Sequence, residues 1–168
     1  MLGRHSMQRD ETVPDNWSQL SVGDTFRVSV PHDWNDITEL LDDIPNVPWT
    51  LAATDGNGAL QFSIALYKRG PRPNPSAAVL LEMLQDYAAA RNTGPLASIV
   101  IEAGPPVLAA ATMASEAEPF RVWYLSKGGN FAFVTYTGGS PLDERELHIC
   151  ERIVRSLEFE SNGIAAEN

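Results

Sequence analysis

Positive charge is scarce in this chain. Its 12 Lys+Arg stand against 22 Asp+Glu, a formal net charge of −10, whereas a protein that grips a phosphate backbone needs the opposite field. Nucleic acid is therefore not an expected partner. Cysteine is almost absent: Cys150 stands alone, so it can form neither an intramolecular disulfide nor, unaided, a thiolate metal site, which fits a reducing compartment. No apolar run approaches the roughly 18 to 20 residues that cross a bilayer, and the opening MLGRHSMQRDE carries no apolar signal-peptide core. A cytoplasmic protein with no membrane partner is expected. P-loop and G-x-S-x-G signatures are missing too.

What remains is ordinary globular material. With 168 residues, 43% hydrophobic and 20% charged, the chain suits a single domain with one core and is far from a disordered composition. The opening residues are polar and aperiodic, and MLGRHS before Met7 reads as an appended segment or a misassigned start. Expected boundaries are a flexible segment 1–20, one folded domain 21–160 and a fraying tail 161–168, where SNGIAAEN offers one large apolar residue.

Period-2 alternation marks a first strand at 25–30 (TFRVSV), which Pro31 stops, followed by a short helical or irregular acidic segment at 32–43. PWTLAATD (48–55) and ALQFSIALY (59–67) flank Asp55-Gly56-Asn57-Gly58, residues suited to a hairpin loop. A proline-punctuated loop (68–75) precedes a helix over 76–91, with Asn74 as its cap and Val79, Leu80, Met83, Leu84 and Tyr87 at helical spacing. Strands at 96–103, 107–115, 119–126 and 130–137 are joined by short links, so neighbours should run antiparallel. In the last of them Phe131 and Phe133 face one way and Val134 and Tyr136 the other, which predicts a central strand covered on both faces. Ser140-Pro141-Leu142-Asp143 reads as the capped start of a second helix, 141–157, whose buried stripe includes Leu147, Cys150, Val154 and Leu157. The fold class expected is α+β: a mostly antiparallel sheet of six or seven strands with two main helices packed on it.

Two stretches carry a family resemblance. DTFRVSVPHDWND (24–36) resembles the strand-Pro-x-x-Trp opening of the PsbP-like fold, shared by an extrinsic protein of photosystem II, a Ran-binding nuclear-import factor and bacterial DcrB-type proteins. VWYLSKGGNFAFVTYT, followed by LDERELHICERIVRSLEFE with its Ile153-Val154-Arg155-Ser156-Leu157-Glu158-Phe159 phrase, is similar to the strand-turn-strand-helix close of that group. The resemblance implies a PsbP-like sandwich over most of 24–159. It also implies kinship with small immunity proteins or chaperones that accompany secreted bacterial toxins, and it supplies no catalytic motif.

The remaining polar residues offer few candidates for chemistry. His148 and Cys150 lie two positions apart on a helix and so point to different sides, which makes a buried thiol beside a rim histidine the better reading than a catalytic pair. His32, at a strand exit, has no nucleophile beside it to activate. The Asp55-Gly56-Asn57 start of a calcium loop fails where Ala59 and Leu60 replace a ligand and the sharp-turn glycine. Lys127-Gly128-Gly129-Asn130 sits between strands, not at a helix N-terminus, and reads as a turn. Lys68, Arg69 and Arg72 form the one basic cluster, either an anion site or a solvated loop. No catalytic residue, metal or cofactor is expected.

The charge distribution is more telling. Between Arg27 and Lys68 there is no Lys or Arg, while Asp33, Asp36, Glu39, Asp42, Asp43 and Asp55 are all acidic. Such a segment is either a solvated face or a docking surface for a basic partner. On the second reading Asp33, Asp36, Glu39, Asp42 and Asp43 form a charged rim around two aromatic anchors, Trp34 and Trp49, although either tryptophan taken singly is better read as a core residue. The functional expectation is a non-enzymatic protein-binding module: an immunity-type inhibitor of a cationic toxin, or alternatively a chaperone or assembly factor for a secreted effector, with a small-ligand carrier or enzyme a more distant third.

Overall fold

A computed structural model describes residues 16–160. The expected tail 161–168 and residues 1–15 of the expected flexible segment lie outside them. The chain begins with β1 (Trp17–Val22), β2 (Phe26–Pro31) and β3 (Trp34–Asp36), then a 3-10 turn at Thr38–Leu41, β4 (Trp49–Ala53) and β5 (Ala59–Ala65). Helix α1 (Ala77–Ala90) leads into β6 (Ala97–Glu102), β7 (Val107–Ser115), β8 (Glu118–Lys127) and β9 (Asn130–Thr137). Helix α2 (Glu144–Arg155) and a short β10 (Glu158–Phe159) close the fold.

Seven strands form one sheet in the order β3-β4-β5-β9-β8-β7-β6, and β1-β2-β10 form a second of three strands. Every pairing is antiparallel. The α+β class and a mostly antiparallel sheet of seven strands are thus as expected, and a second, three-stranded sheet adds to it. β9 is the central strand of the larger sheet. Its Val134 and Tyr136 enter an inner core with Leu51, Leu60, Phe62, Trp123 and Leu125, which β2 and α2 cover through Phe26, Val28, Cys150, Ile153 and Val154. Phe131 and Phe133 pack on the other face, where Leu80, Leu84 and Ala88 of α1 meet Ala109, Ala111, Met113 and Tyr124. One strand therefore serves two cores.

Three local expectations are corrected. Residues 17–20, assigned to a flexible segment, belong to β1, which pairs with β2 from Trp17↔Pro31 to Val22↔Phe26. The polar WSQLSV sequence hides this strand because only Leu20 and Val22 alternate, and backbone pairing holds what side-chain pattern does not show. Helix α1 is capped by Ser76, whose hydroxyl accepts from the Val79 amide, not by Asn74. Helix α2 starts at Glu144, and its cap is Asp143, which accepts from the Arg145 and Glu146 amides; it was expected at 141. A carboxylate two or three residues before those orphan amides is the better acceptor for the first turn.

Two glutamates on α2 fasten it to the sheets. Glu146 accepts from the amides of Asn57 and Gly58, both at 2.9 Å, and so holds the β4–β5 hairpin loop. Glu151 accepts from Arg121 Nε at 2.6 Å and from the Trp123 indole at 2.8 Å on β8. Arg121, 3% exposed, reaches on to the Ser98 carbonyl and the Thr112 hydroxyl, tying β6 and β7 to the same carboxylate.

The hairpin seat also demands glycine. A Cβ at Gly58 would stand 2.1 Å from the Thr137 carbonyl and 2.6 Å from Gly138 Cα, both backbone atoms that cannot swing aside. We expect Gly58→Ala to destabilise the protein by about 1–3 kcal/mol in urea unfolding. An unchanged unfolding midpoint would show that the hairpin does not seat here.

Candidate functional site

The acidic segment 33–49 is built around the edge of the larger sheet. β3 is short because its pairing with β4 runs only from Trp34↔Ala53 to Asp36↔Leu51, and the chain then leaves the ladder for the 3-10 turn. Asp36 organises that departure. Its Oδ1 accepts from the Thr38 amide at 2.9 Å and from the Thr38 hydroxyl at 2.6 Å, and its Oδ2 accepts from the Trp49 indole at 2.6 Å. The Thr38 hydroxyl in turn accepts from the Thr50 amide, and the Ile37 amide donates to the Thr50 carbonyl. A loop with few apolar contacts is thereby fixed to β4 by hydrogen bonds.

The two tryptophans do not serve as expected. Trp34 is 4% exposed and belongs to the inner core, so it is no surface anchor. Side chains alternate along a strand, and the β3 position that Trp34 occupies points inward. Trp49 is half-buried: its ring meets Phe26 edge-on at 4.9 Å and Phe62 at 5.1 Å, and its N–H is committed to Asp36. The apolar side chains that the segment does offer to solvent are Leu40, 82% exposed, and Ile44, 54% exposed. Around them Glu39, Asp42 and Asp43 are exposed, as is Asp33, whose carbonyl accepts from the Thr54 amide beside the hairpin loop. The segment thus brings Glu39, Asp42 and Asp43 together with Leu40 and Ile44. It employs Asp36 and Trp49 as its frame and consigns Trp34 to the core.

The Asp36 carboxyl lies below the usual carboxylate range. Burial pushes it up, but the bonds from the Thr38 hydroxyl, the Thr38 amide and the Trp49 indole outweigh that. Asp143 is also depressed, chiefly by the Glu146 amide against an opposing effect of burial, with the Asn57 side chain and the Arg145 amide assisting. Elsewhere the thiol of Cys150, fully buried, is pushed far up by burial and by the neighbouring Glu146 and Glu151 carboxylates. It therefore stays protonated, while His148 on the same helix is exposed. Lys68, Arg69 and Arg72 are exposed on their loop, with Arg72 5.6 Å over the Tyr67 ring. No three His, Cys, Asp or Glu side chains among the described residues converge as a metal site. The calcium-like loop is occupied otherwise: its amides serve Glu146, and the Asn57 side chain donates to Asp143 at 2.8 Å.

No family model and no curated protein sequence matches the chain. Its three-dimensional fold does find counterparts. A cyanobacterial PsbP protein (CyanoP) from Synechocystis sp. PCC 6803 superposes with a TM-score of 0.54 at 11% identity, covering 86% of this chain and 92% of that one. A protein from Bacteroides thetaiotaomicron VPI-5482 matches at a TM-score of 0.48 and 13% identity, over 82% of this chain and 46% of that one. The fold is PsbP-like.

A depressed carboxyl contributes stability that is present above its unfolded value, near 3.9, and is lost as pH falls through its lower folded value. The Trp49 indole proton should therefore shift in NMR with a midpoint below that of a free aspartate, and Asp36→Asn should abolish the transition. A midpoint at or above the free value would contradict the bonding described for Asp36.

Proposed function

We propose that this chain is a non-enzymatic protein-binding module that docks a basic partner on the exposed part of residues 33–49. One observation carries the reading. In a stretch with no Lys or Arg from 28 to 67, Leu40 and Ile44 stand open to solvent among Glu39, Asp42 and Asp43. Exposed large apolar side chains inside a charged rim are the composition of a docking patch, in which the apolar centre slows dissociation and the rim steers encounter. The protonated, enclosed Cys150 and the separation of His148 from it fit a role without nucleophilic chemistry.

The finer reading is an immunity-type inhibitor. A cationic toxin, for example a nuclease with a phosphate-binding surface, is blocked when carboxylates occupy that surface, and charge complementarity accelerates the encounter. The alternative, a chaperone or assembly factor, draws on a different surface: edge strand β6, where Ile99 and Ile101 are 47% and 46% exposed.

Binding kinetics against the product of the adjacent gene, at low and physiological salt, test this reading. Because Asp36 holds the loop, the neutralising variant is Glu39→Gln/Asp42→Asn/Asp43→Asn. It should slow association at low salt and flatten the salt dependence while leaving dissociation nearly unchanged. Leu40→Ser/Ile44→Ser should speed dissociation, at a cost of about 2 kcal/mol. Association of the triple variant as fast as the parent at low salt would refute acidic docking. Loss of binding only in Ile99→Ser/Ile101→Ser would favour the chaperone reading.

A further inference from the structure

The acidic loop is not alone at its end of the larger sheet. β3 pairs antiparallel with β4, and β4 with β5, so the link from Asp36 to Trp49 and the chain that leaves Ala65 emerge at the same end of neighbouring strands. Such neighbours lie about 4.8 Å apart. The second loop carries the opposite charge. Between 56 and 81 there is no Asp or Glu, while Lys68, Arg69 and Arg72 stand exposed in the loop that follows β5. Lys127, exposed on the β8–β9 turn, adds to this end, because Ala65 pairs with Phe131 at the start of β9.

The basic loop is as firmly placed as the acidic one. The Tyr67 amide donates to the Asn130 side-chain oxygen at 2.8 Å, its hydroxyl donates to the Gly70 carbonyl, and the Arg72 guanidinium stands 5.6 Å over its ring. Gly129 leaves that ring its room, since a Cβ there would come within 2.5 Å of it. Pro71, Pro73 and Pro75 restrict the backbone further. The two loops nevertheless do not neutralise each other. Among the described residues the ion pairs are Arg27 with Glu158, Arg121 with Glu151, and Arg155 with Glu102 and Glu151. None involves the carboxylates of 39–43 or the bases of 68–72. Two fixed clusters of opposite sign, unpaired within the chain, thus share one end of the sheet with the exposed Leu40 and Ile44. Such a surface is complementary to itself.

We propose that this end of the sheet docks against the same end of a second copy of the chain, with Glu39, Asp42 and Asp43 of each copy facing Lys68, Arg69 and Arg72 of the other. A two-fold axis satisfies both clusters at once, because in an isologous contact each patch meets on the other copy what it is met by in return. The contact also removes from water the apolar side chains of Leu40 and Ile44, which the single chain leaves exposed. A net charge of −10 on each copy opposes contact through other faces, so the complementary ends select the orientation as well as the partner. The inference rests on the docking reading of residues 39–44 and names the chain itself as a basic partner that fits there.

The test is sedimentation velocity of the full chain at about 0.15 M salt, where a Debye length of about 8 Å damps the repulsion between net charges more than it damps contacts across an interface. The parent should form a dimer whose share grows with concentration. Glu39→Lys/Asp42→Lys/Asp43→Lys and Lys68→Glu/Arg69→Glu/Arg72→Glu change exposed side chains only, and each should weaken the dimer roughly 10-fold or more. Mixed in equal amounts, the two variants should dimerise again, since each then offers the other the opposite sign at both clusters. Both remain net negative, so attraction between whole molecules cannot imitate that rescue. Should a reversal unfold the chain, Glu39→Gln/Asp42→Asn/Asp43→Asn carries the same expectation of a weakened dimer. A parent that stays monomeric at millimolar concentration, a mixture as monomeric as its components, or a dimer lost only in Ile99→Ser/Ile101→Ser would each overturn the proposal. The docking reading fails by a separate result, unchanged association of the neutralised triple variant with a basic partner.

Discussion

A carboxylate on α2 that serves buried donors on β8 holds the two layers of the inner core together. Glu151 accepts from both Arg121 and Trp123, and Arg121 passes the connection to β6 and β7. A guanidinium 3% exposed must be paired, because taking an unpaired charge out of water costs far more than any packing it permits. The rest of α2 follows from that anchor. With Glu151 set against β8, Cys150, Ile153 and Val154 fall on the inner face of the sheet, and Glu146 comes to the hairpin loop one and a half turns earlier. At the helix end the Ser156 hydroxyl accepts from the Ser29 amide at 2.8 Å, so the three-stranded sheet is docked by the same element.

This frame determines where the molecule has surface to offer. Both faces of β9 are occupied, and α1 and α2 turn their apolar stripes inward. What projects beyond the layers are loops fastened by polar contacts: the Asp36-centred loop at one end of β4 and the Glu146-held hairpin at the other. The Asp36-centred loop combines carboxylates with the exposed Leu40 and Ile44, the hairpin carries Asp55, and neither contains a compensating base. On the reading proposed above, the negative charge at these fixed loops is what steers a cationic partner.

Much of this architecture was legible in the sequence wherever a periodic pattern met a burial requirement. TFRVSV, NFAFVTYT and the Leu147–Leu157 stripe each declare a face, and the structure uses those faces as read, including the enclosure of Cys150. The Asp55–Gly58 hairpin was equally plain. What was hidden depended on partners far along the chain. Glu146 and Glu151 look like surface charges on a helix, yet their acceptor roles involve residues 88 and 30 positions away. Trp34 and Trp49, bracketing an acidic run, looked like anchors, because composition cannot tell which side of a three-residue strand faces the core. Leu40 and Ile44 are hidden for the opposite reason: inside a short irregular segment no periodicity distinguishes a buried leucine from an exposed one.

The central functional claim is that the exposed part of 33–49 recognises positive charge set around an apolar side chain. Panning a random peptide display library against the full chain tests it without knowledge of the partner. The account predicts a consensus of Lys or Arg flanking one or two large apolar residues, with the selected peptides losing affinity for Glu39→Gln/Asp42→Asn/Asp43→Asn and for Leu40→Ser. Selection of acidic or uncharged peptides, or peptides that bind the triple variant as well as the parent, would contradict it.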